Sequence, residues 1–396
     1  MADLMDTAAR VNRIKSFHVM ALLDRAKQLE AQGRDIIHLE VGEPDFATPD
    51  NVVEAGVAAM RQGKTRYTAP SGLPELRRAI AGFYRQRYGV TVDPCRVIVT
   101  PGASGAISLV TALLFNPGDG VLLADPGYPC NDNFLHLLGA LPQRVAAGPD
   151  TGYQLTAAQV ASHWQDHTRG VWVASPSNPT GTLLDLAALQ ALHAAVDARK
   201  GALLVDEIYH GLTYGVDAPT ALALSDPQSS LFVINSFSKY FNMTGWRLGW
   251  LVAPECHVEA LDRLAQNFFL AAPTVAQYAA LEAFSDTSIA LYEQRRQILQ
   301  QRRDYLLQAL PALGFQIRCV PQGAFYLYCD VSTITGDSFA FCQQLLEQTG
   351  VAITPGIDFG DYQAQQHVRI AYTQGQERLA QAVARIGGFI GKGGEA

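Results

Sequence analysis

The residues with the most obvious capacity for chemistry are Ser236, Ser238 and Lys239, which follow the apolar run LFVIN and stand shortly before Arg247 in MTGWRLGW. A strand ending in hydroxyls and a lysine, with an arginine close behind, offers a nucleophilic amine beside an anion site. The same residues are also compatible with a solvated loop lysine and a salt-bridged arginine. Asp206 closes a second apolar run, ALLVD, and is followed by Glu207, Ile208 and Tyr209. Open α/β sheets place ligands at the carboxyl ends of their strands. A carboxylate there can keep a pyridine-type nitrogen protonated and make the ring an electron sink, or it can simply cap a helix. Pro101 to Gly105, PGASG, lies between the run RVIVT and a helical pattern, so its small residues leave backbone N–H groups free to cradle a phosphate. Any tight strand-to-helix turn also favours glycine. In SPSNPTG, Pro176 and Pro179 flank Asn178 and would hold its amide in one place.

These groups need a scaffold, and the sequence from Arg96 onward supplies one. Short runs rich in Val, Leu and Ile (RVIVT, GVLLAD, GVWVAS, ALLVD, LFVINS, RLGWLVA) alternate with helical patterns such as SGAISLVTALLF and LAALQALHAAVDARK. Continuous apolar strands separated by helices predict a mostly parallel mixed sheet buried on both faces. The fold class is therefore α/β. Past Asp286 a long helix, SIALYEQRRQILQQRRDYLLQAL, carries charges on one face and Leu, Ile and Tyr on the other. It leads into an α+β pattern with FQIRCV, AFYLYCDV and HVRIAY as strands and SFAFCQQLLEQTG and QERLAQAVARIGGF as helices. The N-terminal segment VNRIKSFHVMALLDRAKQLEAQG reads as a helix that must pack back on this C-terminal unit. The predicted division is a large domain over 48–287 and a small α+β domain made of 1–47 with 288–396. The Gly-rich tail GGFIGKGGEA is expected to fray.

The chain of 396 residues, 48% hydrophobic and 17% charged, is long enough for about two packed domains. A net charge of −7 and the absence of a Lys/Arg run give no reason to expect nucleic acid or an anionic membrane as partner. The six cysteines form neither a CxxC pair nor a Cys/His cluster at metal-ligand spacing, so no metal is expected. Free thiols, the lack of a signal-peptide core and the lack of an apolar run of ~18 residues point to the cytoplasm.

Taken together, the segments resemble the pyridoxal 5'-phosphate (PLP) aminotransferases of fold type I, the aspartate-aminotransferase-like superfamily with its class I and II aminotransferases. The likeness runs from VGEPDFATP at Val41–Pro49 to HVRIAYT at His367–Thr373. RYTAPSGLPELR, PGAS, DPGYP, SPSNPTG, DEIY, SFSKYFNMTGWRLG and VRIAY come in the family's order. It implies an enzyme that moves an amino group between an amino acid and a 2-oxo acid by a ping-pong mechanism. Lys239 would carry the cofactor as a Schiff base and, once freed by substrate, transfer the proton at the α-carbon. Asp206 would pair with the ring nitrogen, Tyr209 and Asn178 with the ring oxygen, and Tyr128 would stack on the ring. The phosphate would be held by the amides of Ala103 and Ser104, the hydroxyls of Ser236 and Ser238, and Arg247. Tyr67 would reach it from the neighbouring subunit, which implies a homodimer with shared active sites. Arg369, with Asn178 and the main chain at Gly42, would clamp the substrate carboxylate, a task suited to a planar guanidinium. Between Val368 and Ile370, Arg369 could instead be an outward-facing edge-strand arginine.

The resemblance leaves reaction and substrate partly open. A C–S β-lyase on the same fold would share the cofactor motifs. A PLP-sensing regulator would need an added DNA-binding segment, and a dinucleotide dehydrogenase would need a GxGxxG after an early strand, which is absent. Dicarboxylate-specific relatives place a lysine where this chain has Ser104, or borrow an arginine from the partner subunit. Here the segment Ile14 to Val19 would cover the pocket, with Phe17 and Val19 facing the substrate side chain and Lys15 solvated. Neutral aliphatic or aromatic amino acids are the expected donors, with glutamate usable if a mobile arginine swings in.

Overall fold

The computed structural model describes residues 7–224, 226 and 229–393, with residues 392 and 393 described by backbone alone. After a short strand β1 (Ile37–His38), seven strands build the main sheet: β2 (Val97–Thr100), β3 (Gly120–Asp125), β4 (Leu141–Ala146), β5 (Thr168–Ala174), β6 (Ala202–Asp206), β7 (Leu231–Ser236) and β8 (Gly249–Val252). Their order is β2-β8-β7-β6-β5-β3-β4. Only β8 runs against its neighbours, so the sheet is parallel apart from one strand. β2, β6 and β7 are buried along their whole length, and successive residues point into two different cores: Leu203 and Val205 into one, Leu204 into the other. This two-sided burial is why these strands read as unbroken apolar runs rather than alternating ones. Each such aliphatic side chain withdrawn from water contributes roughly 1.5–3 kcal/mol before conformational entropy is subtracted.

A second layer holds β9 (Tyr326–Asp330), β10 (Val351–Ala352), β11 (Thr354–Pro355) and β12 (His367–Ala371). β12 lies between β11 and β9 in an antiparallel sheet, while β1 pairs in parallel with β10. The chain thus returns its N-terminal strand to its C-terminal third, and the helix His18–Ala31 packs there too, against the helix Ser338–Thr349. The long helix is Asp286–Ala309, capped by the Ser285 hydroxyl, which accepts from the Ser288 amide.

Four expectations need correction. The N-terminal helix starts only at His18, because Phe17 is extended and offers no capping side chain. Its first amides, His18 N and Val19 N, instead donate to the two carboxylate oxygens of Asp358, each at 2.7 Å. FQIRCV forms no strand. Gln316 makes one isolated bridge to Asp330, and the chain then peels away so that the amides of Gln322 and Gly323 can donate to Gly181 O. The charges of the long helix do not all face water either: Arg302 is buried and forms a bidentate pair with Asp45, both distances 2.8 Å. In the Gly-rich tail, the helix Gln376–Gly393 continues through residues 387–393, and residues 394–396 lie outside those described.

Candidate active site

Strand register gathers the chemistry at one rim. β6 ends in Asp206 and β7 in Ser236, and β8 begins at Gly249, two residues after Arg247. Gly249 is opposite both Ser236 and Thr100, so the turn carrying Lys239, the segment carrying Arg247 and the turn entering the helix Gly102–Leu114 are neighbours. Contact is close: a Cβ on Gly249 would stand 2.7 Å from Ala103 N, and one on Gly102 would stand 2.6 Å from Arg247 Nη2. Arg247 has φ +52°, a left-handed conformation that costs a non-glycine residue about 1–3 kcal/mol and clusters at functional sites.

This corner has the character of an anion cradle. The helix Gly102–Leu114 starts after Pro101, which supplies no side-chain cap, so the positive end of the helix is left for a ligand. Ser236 and Ser238 are buried beside it, with Ser236 Oγ 2.9 Å from Ser238 Oγ. Backbone amides, two hydroxyls and a guanidinium match a phosphate.

Lys239 Nζ donates to Gly42 O at 2.6 Å and lies 5.7 Å from the centre of the Phe325 ring. Burial, aided by the positive charges of Arg369 and Arg247 and opposed by Glu43, pulls its ammonium down to about 8. Asp206 is 6% exposed and accepts from the Ile208 amide at 3.0 Å. Burial pushes its carboxyl up to about 7, against the Ile208 hydrogen bond and the attraction of Lys239. Such a carboxyl is poised to share a proton with a basic ligand atom.

Arg369 points inward. Its Nη1 donates to Asn178 Oδ1 at 3.0 Å, its Nη2 donates to Glu40 O at 2.5 Å, and its guanidinium lies 4.3 Å from the Tyr326 ring centre and 4.9 Å from that of Phe359. Its Nε is buried with no hydrogen-bond partner among the described residues. Tyr209 is buried with its hydroxyl 3.0 Å from that of Tyr326. Tyr128 shares a small cleft with Ser177 and Asn178.

The chain therefore brings together Lys239, Asp206, Tyr209, Asn178, Tyr128, Ser236, Ser238, Arg247, Arg369, Gly42 and the start of the helix at Ala103 and Ser104. It does not bring in Tyr67, which is 83% exposed. Phe17 is half-buried at the start of its helix, beside the Asp358–Phe359 turn. Sequence reasoning missed Tyr326, Phe359 and Glu40. Tyr326 had an indirect signal in Gly42, where a Cβ would fall 2.2 Å from the Tyr326 hydroxyl. The donor set fits a ligand with a phosphate, a carbonyl that an amine can capture, and a ring nitrogen that a carboxyl can face. PLP is such a ligand.

Comparison with known proteins follows the same line. The family model for aminotransferase class I and II matches residues 34–386. Valine–pyruvate aminotransferase of Mycobacterium tuberculosis is 39% identical over 387 residues, covering 98% of this chain and 99% of that one. Aspartate/prephenate aminotransferase of Thermus thermophilus is 35% identical over 388 residues, covering 97% and 98%. Among solved structures, an aminotransferase from Mycobacterium tuberculosis superposes with a TM-score of 0.94 at 38% identity, covering 98% of this chain and 100% of that one.

Proposed function

The chain belongs to the class I and II aminotransferases, and from that premise we propose how its own residues carry out PLP-dependent transfer of an amino group between an amino acid and a 2-oxo acid. The C–S lyase alternative gains no support from its relatives, which are named as transferases. The observation that carries the reading is the enclosed Lys239 amine, set at one rim with the buried carboxyl of Asp206 and the inward-facing guanidinium of Arg369. When bound, PLP supplies an electron sink conjugated to the substrate's α-carbon.

The rest falls to the protein. Lys239 Nζ would hold the cofactor and, when free, would take up and return the proton at the substrate's α-carbon. Its lowered ammonium lets it act as a base near neutral pH. Asp206 keeps a proton at the ring nitrogen, and Tyr209 and Asn178 face the ring oxygen. Because Asn178 Oδ1 accepts from Arg369, its NH2 is the end left to donate to the cofactor. Tyr128 would pack on the ring, while the amides of Ala103 and Ser104, the hydroxyls of Ser236 and Ser238, and Arg247 would hold the phosphate. Arg369, Asn178 and the Gly42 main chain hold the substrate carboxylate.

We further read the enzyme as a cytoplasmic homodimer in which Tyr67 completes the phosphate site of the neighbouring subunit. Support comes from the exposure of Tyr67 and from six unpaired cysteines. No helix of the described residues is long and apolar enough to cross a membrane. We assign residues 48–287 to the cofactor domain and 1–47 with 288–396 to the small one, residues 1–6 and 394–396 lying outside those described.

The substrates are neutral amino acids. Ser104 offers no cation for a second carboxylate, Phe17 and Val19 begin the helix beside the pocket, and Glu43 places negative charge near Lys239. A second carboxylate would be desolvated unpaired, at a cost of several kcal/mol. The test is a donor panel on the holoenzyme, scoring 2-oxo acid release. Alanine, valine, leucine, methionine and phenylalanine should exceed aspartate in kcat/KM; an aspartate value above all of these would overturn the substrate assignment.

A further inference from the structure

Behind the site just described, the molecule carries a chain of three ionisable side chains that no catalytic step uses. His38 Nδ1 is 2.6 Å from Glu40 Oε1, and His38 Nε2 is 3.1 Å from Glu30 Oε1. A ring with a carboxylate oxygen on each nitrogen donates from both, which defines the imidazolium. Glu30 lies in the last turns of the helix His18–Ala31, His38 ends β1, and Glu40 is 1% exposed. Glu40 Oε2 is buried without a hydrogen-bond partner among the described residues. A carboxylate so enclosed depends on its one ionic partner to stay in place.

The backbone of this stretch reaches β12 in one place and the reaction centre in two. Leu39 O accepts from the Ala371 amide at 2.8 Å, tying the strand to the end of β12. Glu40 O accepts from Arg369 Nη2 at 2.5 Å and from Thr354 Oγ1 at 3.2 Å. Gly42 O accepts from Lys239 Nζ at 2.6 Å. The Glu40 side chain is therefore anchored by His38, while its main chain receives the guanidinium assigned to the substrate carboxylate.

We propose that His38, bridging Glu30 and Glu40, is a positioning residue that fixes the Glu40 main chain and thereby aims Arg369 at the substrate carboxylate. The proposal rests on the reading of Arg369 as the carboxylate clamp. His38 touches neither substrate nor cofactor, so its loss acts on KM for both carboxylate-bearing substrates and leaves kcat nearly unchanged.

Two variants that both keep a polar side chain separate this role from simple loss of packing. In His38→Asn the amide nitrogen stands near the place of Nδ1 and can still donate to Glu40. In His38→Gln it stands near the place of Nε2 and serves only Glu30. With the holoenzyme and alanine plus a 2-oxo acid, His38→Gln raises both KM values about tenfold with kcat within about twofold, and His38→Asn raises them by less than about threefold. In an Arg369→Lys background, His38→Gln adds less than about twofold, since the group it aims is already gone. Equal effects of Asn and Gln, no change in KM, or the full tenfold effect persisting without Arg369 would each overturn the proposal. If Arg369→Lys alone leaves both KM values unchanged, the clamp reading itself fails. If Arg369→Lys raises them and His38→Gln does not, only the positioning role of His38 fails.

Discussion

Asp206 and Lys239 are displaced from their ordinary ionisation in opposite directions, and one cause dominates both: enclosure at the rim of the sheet disfavours each charged form. Their mutual attraction only moderates this. Filling the site with a positively charged ring nitrogen would give Asp206 the partner it lacks. Asp206→Ala should therefore retain cofactor, held through the phosphate and Lys239, while kcat falls on the order of 10²-fold, the scale of removing one preorganised electrostatic group. Stopped-flow rates of amino-group transfer from alanine, alongside cofactor absorbance, check this; an unchanged kcat would make Asp206 structural. Lys239, Asp206 and Arg247 were legible in the sequence because each sits at a strand end with a distinctive neighbour. Glu40 and Tyr326 were not. They meet Arg369 through a backbone carbonyl and an aromatic face, and neither leaves a trace in local residue type.

The elements divide in the same way. The inner strands were legible because burial on both faces leaves continuous apolar runs, whereas β4, LPQRVA, was not, being an edge strand with half-buried positions and a proline. β1, β10 and β11 are two residues each and exist only through their pairing partners. The start of the helix His18–Ala31 is set by Asp358, a cap 340 residues away in sequence that no local signal could reveal. At the other end of that helix, Glu30 is tied to His38, whose other ring nitrogen meets Glu40. Hydrogen bonding to Glu40 and then Glu30, opposed by partial burial, raises the His38 imidazolium from 6.5 to about 9. A raised histidine contributes stability that is complete below its unfolded value and lost as pH climbs through the folded value. Thermal melts of the wild type and His38→Leu should therefore differ most near pH 6, with the gap closing between pH 6.5 and about 9. A gap independent of pH across that window would mean that His38 contributes packing alone.

At the scale of the whole molecule, a single chain leaves several large apolar side chains exposed. Tyr67 is 83% exposed, Leu270 is 42% exposed in a left-handed conformation, and Phe268 is 46% exposed. The segments that carry Tyr67 and the start of the helix Thr274–Glu282 meet, since Thr274 Oγ1 donates to Arg66 O at 2.8 Å. In the proposed homodimer Tyr67 serves the phosphate site of the neighbouring subunit. Tyr67→Phe should then weaken cofactor retention about tenfold, the scale of one hydrogen bond to a charged group, while the dimer persists in light scattering. A fully active monomer at assay concentration would contradict the shared site. The chemistry assigned to the rim of the sheet depends on Lys239 being the amine that holds the cofactor. That is read most directly by reducing the holoenzyme with borohydride and mapping the cofactor-bearing peptide by mass spectrometry. The label should sit on Lys239 alone and should vanish when the enzyme is first incubated with excess alanine, which takes over the cofactor and frees the lysine. A label on another lysine, or one that alanine cannot displace, would contradict it.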